Sequence, residues 1–161
     1  MKKLATYVIL ADILTGWRYS KGVKTEITTG LTYSYNGLGI KDAVVHCNES
    51  PVKGKTYPEG SILKIELHGV KNYTMEDEKA YPGCSILVTD EDGNVTLKND
   101  DIFENVEITK EQLKLVVPSI KITFGNSFAA GKKYELKAHF YDKKKPESVI
   151  DIDLGFEVVA K

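Results

Sequence analysis

The stretch IDIDLGFEV, residues 150–158, decides the fold class of this 161-residue chain. Its five apolar side chains alternate strictly with Asp151, Asp153, Gly155 and Glu157. Successive side chains of a β-strand point to opposite faces of a sheet, so this alternation predicts a strand with one buried and one exposed face. The C-terminal segment is therefore expected to cover one side of a hydrophobic core.

Shorter segments with strand character recur along the rest of the chain. They are residues 31–35, 43–47, 63–67, 85–88, 95–97, 113–117, 120–124 and 134–140. The dipeptide Asp92-Gly93 is a turn signal, so residues 85–98 are predicted to form a hairpin. Eight or nine short strands at regular spacing predict an all-β protein, an antiparallel β-sandwich, with a closed barrel as the second choice.

Helical patterns are sparse and short. Residues 74–80 begin with Thr74 as a candidate N-cap followed by acids, and they predict one short turn. Residues 109–112, Thr-Lys-Glu-Gln, have the spacing of a capping box, again for a single turn. Neither segment predicts a long helix.

Residues 54–68 and 125–139 repeat one pattern at a constant offset: glycine, aromatic, glycine, then a strand. We interpret each copy as a turn whose glycines can adopt positive φ and whose aromatic, Tyr57 or Phe128, covers the end of the core. Either the same strand entry is used twice, or the two halves arose by duplication. The pattern resembles the strand entry of immunoglobulin-like domains of bacterial surface proteins, which implies an immunoglobulin-like β-sandwich.

The first residues have the layout of an export signal. Lys2 and Lys3 precede an apolar run over residues 4–14, which is followed by the small residues Thr15 and Gly16. The run is too short for a transmembrane helix, which needs about 20 apolar residues. We predict a signal-like apolar helix within residues 1–22 and a β-sandwich domain over residues 23–161. The alternative is that residues 4–14 form a buried strand or helix of the mature fold.

The end of that run, Leu14-Thr15-Gly16, resembles the lipobox of bacterial lipoproteins. In that family a cysteine follows and its thiol receives a diacylglycerol. Here the position is Trp17, which has no thiol, so the acylation that the resemblance implies is impossible at this residue. The resemblance implies an exported protein of the periplasm, outer membrane or cell surface, with peripheral membrane association through the N-terminal segment.

Charge and composition exclude some classes of partner. The chain has 22 basic and 23 acidic residues, a formal net charge of −1, and an ordinary globular composition. No global field attracts it to nucleic acid, so we expect no nucleic-acid partner. The one basic cluster, residues 143–146 (Lys-Lys-Lys-Pro), lies between two predicted strands and is interpreted as a solvated hairpin loop.

The two cysteines, Cys47 and Cys84, leave two possibilities open. In an oxidising compartment they form one disulfide, worth about 3–4 kcal/mol in the chain-entropy model. Alternatively they are two separate buried thiols that pack as small apolar groups.

Acidic residues cluster in and after the predicted hairpin, over residues 90–104. They either form a hairpin turn or contribute oxygen ligands to Ca²⁺, although an EF-hand loop requires its glycine later than Gly93. His46, His68 and His139 lack the spacing of a zinc site and are interpreted as structural or surface residues. We therefore predict no metal site and no cofactor.

No motif for nucleophilic catalysis or phosphate binding is found, so the chain is expected not to be an enzyme. Tyrosines can offer an aromatic binding surface or pack at the edge of the core. The candidates are Tyr33, Tyr35, Tyr57, Tyr73 and Tyr81.

The sequence favours an envelope module that binds a protein or glycan partner. The alternative is an adhesin-type assembly subunit that pairs through strand edges.

Overall fold

The computed structural model describes residues 20–161, which form an all-β fold. The strands are β1 Lys21–Thr25, β2 Thr32–Asn36, β3 Asp42–Cys47, β4 Ser50–Pro51, β5 Thr56–Pro58, β6 Ile62–His68, β7 Lys79–Ala80, β8 Pro82–Asp90, β9 Val95–Asn99, β10 Ile108–Thr109, β11 Ser119–Thr123, β12 Lys132–Asp142 and β13 Lys145–Val159. The one helix in this part of the chain is the short 3-10 helix Gln112–Lys114.

The strands form two main sheets. The large sheet has the order β1-β2-β13-β12-β8-β9, with β5 alongside β13, and the small sheet has the order β11-β6-β3-β4. Short strands β7 and β10 pair separately. All pairs are antiparallel except β5 with β13. The prediction of an all-β protein built from antiparallel sheets is confirmed, and the arrangement is consistent with a sandwich.

One hydrophobic core lies between the sheets. The apolar residues of the 150–158 alternation are all nearly or fully buried on β13, as predicted. The small sheet contributes Val45, Ile65 and Ile122 to the same cluster. Because both sheets bury one face against one core, their outer faces are the solvent-exposed sides of a two-layer body.

The repeated pattern has the predicted local structure. Gly60 has φ +75° and Gly131 has φ +80°, a region that favours glycine. Tyr57 and Phe128 are both buried, and each packs on Phe124, with ring centroids 5.9 Å and 5.1 Å away. The strands that follow, β6 and β12, lie in different sheets. The same strand entry is therefore used once in each layer, and duplication stays a hypothesis.

Two local predictions are wrong and one is confirmed. Residues 113–117, predicted as a strand, instead begin in the 3-10 helix and continue from residue 115 as a loop that pairs with no strand of the described chain. Residues 74–80 form a tight turn closed by the bridge between Glu76 and Lys79, followed by the short strand β7, instead of a helical turn. The capping box is present: the Thr109 N–H donates to Gln112 Oε1 at 2.9 Å, and the Gln112 N–H donates to Thr109 Oγ1 at 3.3 Å.

The N-terminal predictions lie almost entirely outside the described residues. Leu14, Thr15, Gly16 and Trp17, and the predicted signal helix, fall within residues 1–19. Strand β1 starts at Lys21, two residues before the boundary predicted at residue 23. From residue 20 onward, no helix has the length and apolar character needed to cross a bilayer.

The disulfide considered for Cys47 and Cys84 is not formed, because both are free thiols. Cys47 ends β3 in the small sheet, opposite Leu63 and toward the end that carries the aromatic residues. Cys84 lies in the large sheet opposite Phe140, toward the other end of β12. A disulfide requires Cα atoms within about 7 Å, and these positions on different layers and ends do not meet that requirement.

Candidate functional site

Three consecutive apolar residues are exposed in the loop 115–117. The exposed fractions are 84% for Leu115, 45% for Val116 and 41% for Val117. Single exposed apolar residues are common on protein surfaces, but a run of three is unusual unless it serves a binding function. This loop is the strongest candidate for a binding element in residues 20–161.

An apolar groove of about 220 Å³ lies beside this loop. Its walls are Pro82, Phe103, Val106, Ile108, Val116, Val117, Pro118 and Ser119. An apolar cavity of ~150 Å³ is large enough for benzene. The groove therefore has room for one large or two small apolar side chains of a partner. We call the loop 115–117 and this groove together the apolar site.

Two sets of polar contacts hold the apolar site in place. The two hydrogen bonds between Thr109 and Gln112 close the turn that leads into the 3-10 helix from which the loop 115–117 emerges. On the opposite wall, Lys143 Nζ lies 2.8 Å from Asp101 Oδ2 and donates to the carbonyls of Phe103 and Glu104 at 2.7 and 2.9 Å. The chain segment that carries Phe103 and Val106 is thus anchored to the β12–β13 turn.

The carboxyl of Asp101 completes this anchor. It accepts hydrogen bonds from the backbone N–H groups of Cys84 and Phe103, at 3.0 and 2.9 Å. Burial acts to raise the pKa of Asp101, but the hydrogen bond from Lys143 and the two backbone bonds outweigh it, so the pKa lies below its usual value. The carboxylate is therefore held in the charged form that Lys143 needs as a partner.

A second open region adjoins the apolar site along the side of the molecule where β9 and β11 are the last strands of their sheets. A groove of about 310 Å³ lies between these strands. Its lining is Thr96, Leu97, Lys121, Ile122, Thr123, Gly125, Ser127 and Phe128. We call this region the open side. The loop 115–117 leads through Pro118 directly into β11, so the chain itself connects the apolar site with the open side.

The acidic hairpin is a turn in which the carboxylate of Asp90 already accepts hydrogen bonds from the backbone. Asp90 accepts hydrogen bonds from the backbone N–H groups of Asp92 and Asn94 at 3.0 and 2.8 Å, and Gly93 has φ +83°. The predicted β8–β9 hairpin is confirmed. Within residues 20–161, no three His, Cys, Asp or Glu side chains are grouped so as to hold a metal ion.

The histidines lie on the two outer faces, each beside a carboxylate. His139 Nδ1 is 2.6 Å from Asp151 Oδ1 on the large sheet, and its ring stacks on Tyr141. His46 and His68 both approach Glu66 Oε2 on the small sheet, at 3.3 and 3.1 Å. The structure does not bring the three histidines together.

The tyrosines and lysines singled out from the sequence have structural roles. Tyr33, Tyr57 and Tyr73 are buried, so these three do not form the aromatic surface considered above. The basic cluster does form the β12–β13 turn, but Lys143 anchors the neighbouring loop and Lys144 pairs with Glu76 over the ring of Tyr81. Two of its three lysines are thus engaged within the protein.

Sequence reasoning missed the exposed loop because its apolar residues looked like a strand. A signal was present: Leu115, Val116 and Val117 are consecutive rather than alternating, and Pro118 follows at once. A continuous apolar run that ends at proline does not specify a half-buried strand.

No protein-family model matches the chain, and the comparison with curated proteins finds no match either.

Proposed function

We propose that this chain is a non-enzymatic, exported module of the cell envelope, an immunoglobulin-like β-sandwich that binds a protein partner through the apolar site. The observation that carries the proposal is the exposed run of Leu115, Val116 and Val117 beside a groove of matching apolar character. Burying such side chains against a partner is favourable by about 25 cal/mol per Å² of apolar surface.

A protein is preferred to a glycan as the partner because of the chemistry of the site. Sugar rings bind against exposed aromatic faces, and three of the candidate tyrosines are buried. The groove walls are mainly aliphatic and proline side chains, which complement leucine-like or valine-like side chains. The export and envelope parts of the proposal rest on the order of basic, apolar and small segments in residues 1–22.

Selection from a random peptide library displayed on phage, with the full chain as bait, tests the binding function. We expect enriched peptides to contain apolar anchors and to lose about tenfold or more in affinity for a Leu115→Asp variant, because a charge replaces a buried contact. Ile27→Asp is the matched control, since Ile27 is 88% exposed and lies in the β1–β2 loop. Peptides that bind both variants equally, or no enrichment at all, would reject the proposal.

A second candidate function is an assembly subunit whose copies pair through strand edges. One observation favours it: β1 is an edge strand whose central residue, Val23, is 73% exposed. Antiparallel pairing of two copies about Val23 would bury this side chain in both. Sedimentation of the full chain over a range of concentrations should then show a dimer that Val23→Lys abolishes, whereas a monomer throughout would dismiss this candidate.

A further inference from the structure

Strand β11 has a free hydrogen-bonding edge in the part of the chain that is described. Among residues 20–161 it pairs only with β6, and the bonds that flank this ladder are Leu67 N–H to the Pro118 carbonyl and Phe124 N–H to the Ser61 carbonyl. Antiparallel pairing alternates along a strand, so the even-numbered residues face β6. The backbone N–H groups of Ser119, Lys121 and Thr123 therefore point away from the sheet.

One apolar side chain beside this edge, Leu97, is only partly covered. Within residues 20–161 the small sheet has four strands on its hydrogen-bonded path, whereas the large sheet has six, with β5 in addition. On β9, Leu97 is only half-buried although it lies opposite the fully buried Val88. The open-side groove lies in this position, with Leu97, Ile122 and Phe128 among its walls. One more strand beside β11 would fill it.

We propose that the partner binds as an extended segment that adds a strand to the free edge of β11. This inference rests on the proposed function, because the added strand continues from the apolar site along the open side. Main-chain hydrogen bonds to Ser119, Lys121 and Thr123 provide affinity, and the grooves at either end of β11 provide specificity. The partner segment is thus a β-strand rather than a helix.

The register of β11 defines the chemistry of that segment. Side chains opposite Ile120 and Ile122 face the core side, so they are apolar and contact Leu97 and Phe128. The side chain opposite Lys121 faces outward and is acidic, because Lys121 is exposed and its one carboxylate neighbour in the described chain, Glu49, is 3.7 Å away. The segment alternates apolar residues with a central acid.

A second copy of the chain fits this edge poorly. Lys121 is the central residue of β11, so antiparallel pairing of two β11 strands about their centre would place Lys121 opposite Lys121. Like charges directly opposite each other on neighbouring strands are destabilising. A segment of a different protein that carries an acid opposite Lys121 fits this edge better, and it is the occupant that we propose.

Lys121→Pro separates strand addition from other modes of binding. Proline removes the outward N–H, and it is tolerated on an edge strand because that N–H does not bond to β6. Lys121→Ala is the matched control, since it loses the same side chain and keeps the N–H. With a peptide from the phage selection as the probe, we expect Lys121→Pro to weaken binding about tenfold relative to Lys121→Ala. Unchanged secondary structure in both variants shows that the fold is retained.

Amide hydrogen exchange of the full chain gives an independent readout. Adding the peptide should slow exchange at Ser119, Lys121 and Thr123 and leave the outward edge of β1 unchanged. Peptide binding that is equal for the two Lys121 variants, with no new protection on β11, would overturn strand addition and leave the proposed function intact. If these β11 amides are already protected from exchange in the free chain, or if the chain associates with itself through β11, the edge has another occupant. Either result would also overturn the inference.

Discussion

At the scale of single residues, the fold depends on a few buried polar groups whose partners are backbone amides. Asp142 is completely buried at the end of β12. Its carboxylate accepts the Thr74 N–H at 2.6 Å and the Lys144 N–H at 2.9 Å. It therefore joins the loop that contains Thr74 to the β12–β13 turn, a long-range link that no local pattern specifies.

We expect Asp142→Ala to lower the free energy of unfolding by about 3 kcal/mol, because it removes the buried carboxylate that accepts two part-buried backbone hydrogen bonds. Urea denaturation followed by circular dichroism measures this change. Asp153→Ala, at an exposed position of the neighbouring strand, is the control and should change stability by less than about 0.5 kcal/mol. A loss below 1 kcal/mol for Asp142→Ala would contradict the role given to its hydrogen bonds.

Gly83 shows how an aromatic side chain on the neighbouring strand can require a glycine. It lies opposite Tyr141, and a Cβ at Gly83 would be 2.2 Å from the tyrosine ring. Gly83→Ala should destabilise the protein by about 1–3 kcal/mol through overpacking. Thermal or urea unfolding should show most of this loss disappear when Tyr141→Ala is combined with it. Gly155→Ala, in a strand position with open space around it, is the control and should not be destabilising.

The two thiols should differ in reactivity. Burial raises the pKa of Cys84 to about 12, with a smaller contribution from the charge of Asp101, so almost no thiolate is present near neutral pH. Cys47 is partly exposed at the end of β3. Iodoacetamide should therefore modify Cys47 in the native protein and Cys84 only after unfolding, as read by peptide mass spectrometry. Equal modification rates for Cys47 and Cys84 would contradict the difference in their environments. An intact mass lower by two hydrogen atoms would show a disulfide instead of two free thiols.

At the scale of elements, the apolar site depends on the contact between Asp101 and the β12–β13 turn. The pKa of Asp101 is lower in the folded protein than its ordinary value of 3.8. A group with a depressed folded pKa contributes stability that is complete above its unfolded pKa and is lost as pH falls through the folded pKa. The anchoring of Phe103 by Asp101 and Lys143 should therefore weaken only below about pH 4.

Asp101→Asn should remove part of the fall in stability below about pH 4, since an amide does not titrate. It should also lower stability at neutral pH because the contact with Lys143 loses its charge. Urea unfolding at a series of pH values measures both effects. Glu91→Gln, in the exposed β8–β9 turn, is the control. If the free energy of unfolding of Asp101→Asn falls with decreasing pH as steeply as that of the unsubstituted protein, Asp101 does not contribute to the acid dependence.

Within the elements, the pattern of residues predicted most strands because side-chain alternation is local. The strict alternation of 150–158 became the longest strand, β13. The capping box of Thr109 and Gln112 formed because its atoms are three residues apart. The strand predicted over residues 113–117 is not formed, because apolar character alone does not distinguish a strand from the end of a 3-10 helix followed by an exposed loop.

At the scale of the whole molecule, the two grooves lie at opposite ends of β11, one lined mainly by apolar side chains and the other by mixed polar and apolar ones. None of these features is visible in a local window of sequence. The groove at the apolar site brings Pro82, Phe103 and Val117 together from distant parts of the chain. The open side lies where β9 and β11 end the two sheets formed by residues 20–161.

The export proposal predicts a shortened chain outside the cytoplasm. Intact mass measurement of the protein recovered from cell fractions should show a species that lacks an N-terminal segment within residues 1–22 and carries no diacylglycerol, because Trp17 has no thiol. The mature body beginning near β1 would remain complete. Recovery of the uncut chain from the cytoplasm alone would reject export.

The sequence by itself determined the all-β class, the position of most strands, the hairpin turn at Asp92-Gly93 and the repeated strand entry, because alternation, turn chemistry and capping act over a few neighbouring residues. Only the tertiary structure decided which apolar residues were left uncovered, that Cys47 and Cys84 are too far apart to pair, and that Lys143 is an anchor rather than a solvated charge. Those outcomes depend on how many strands each sheet contains and which strands are neighbours, and both are set by contacts between residues far apart in the chain.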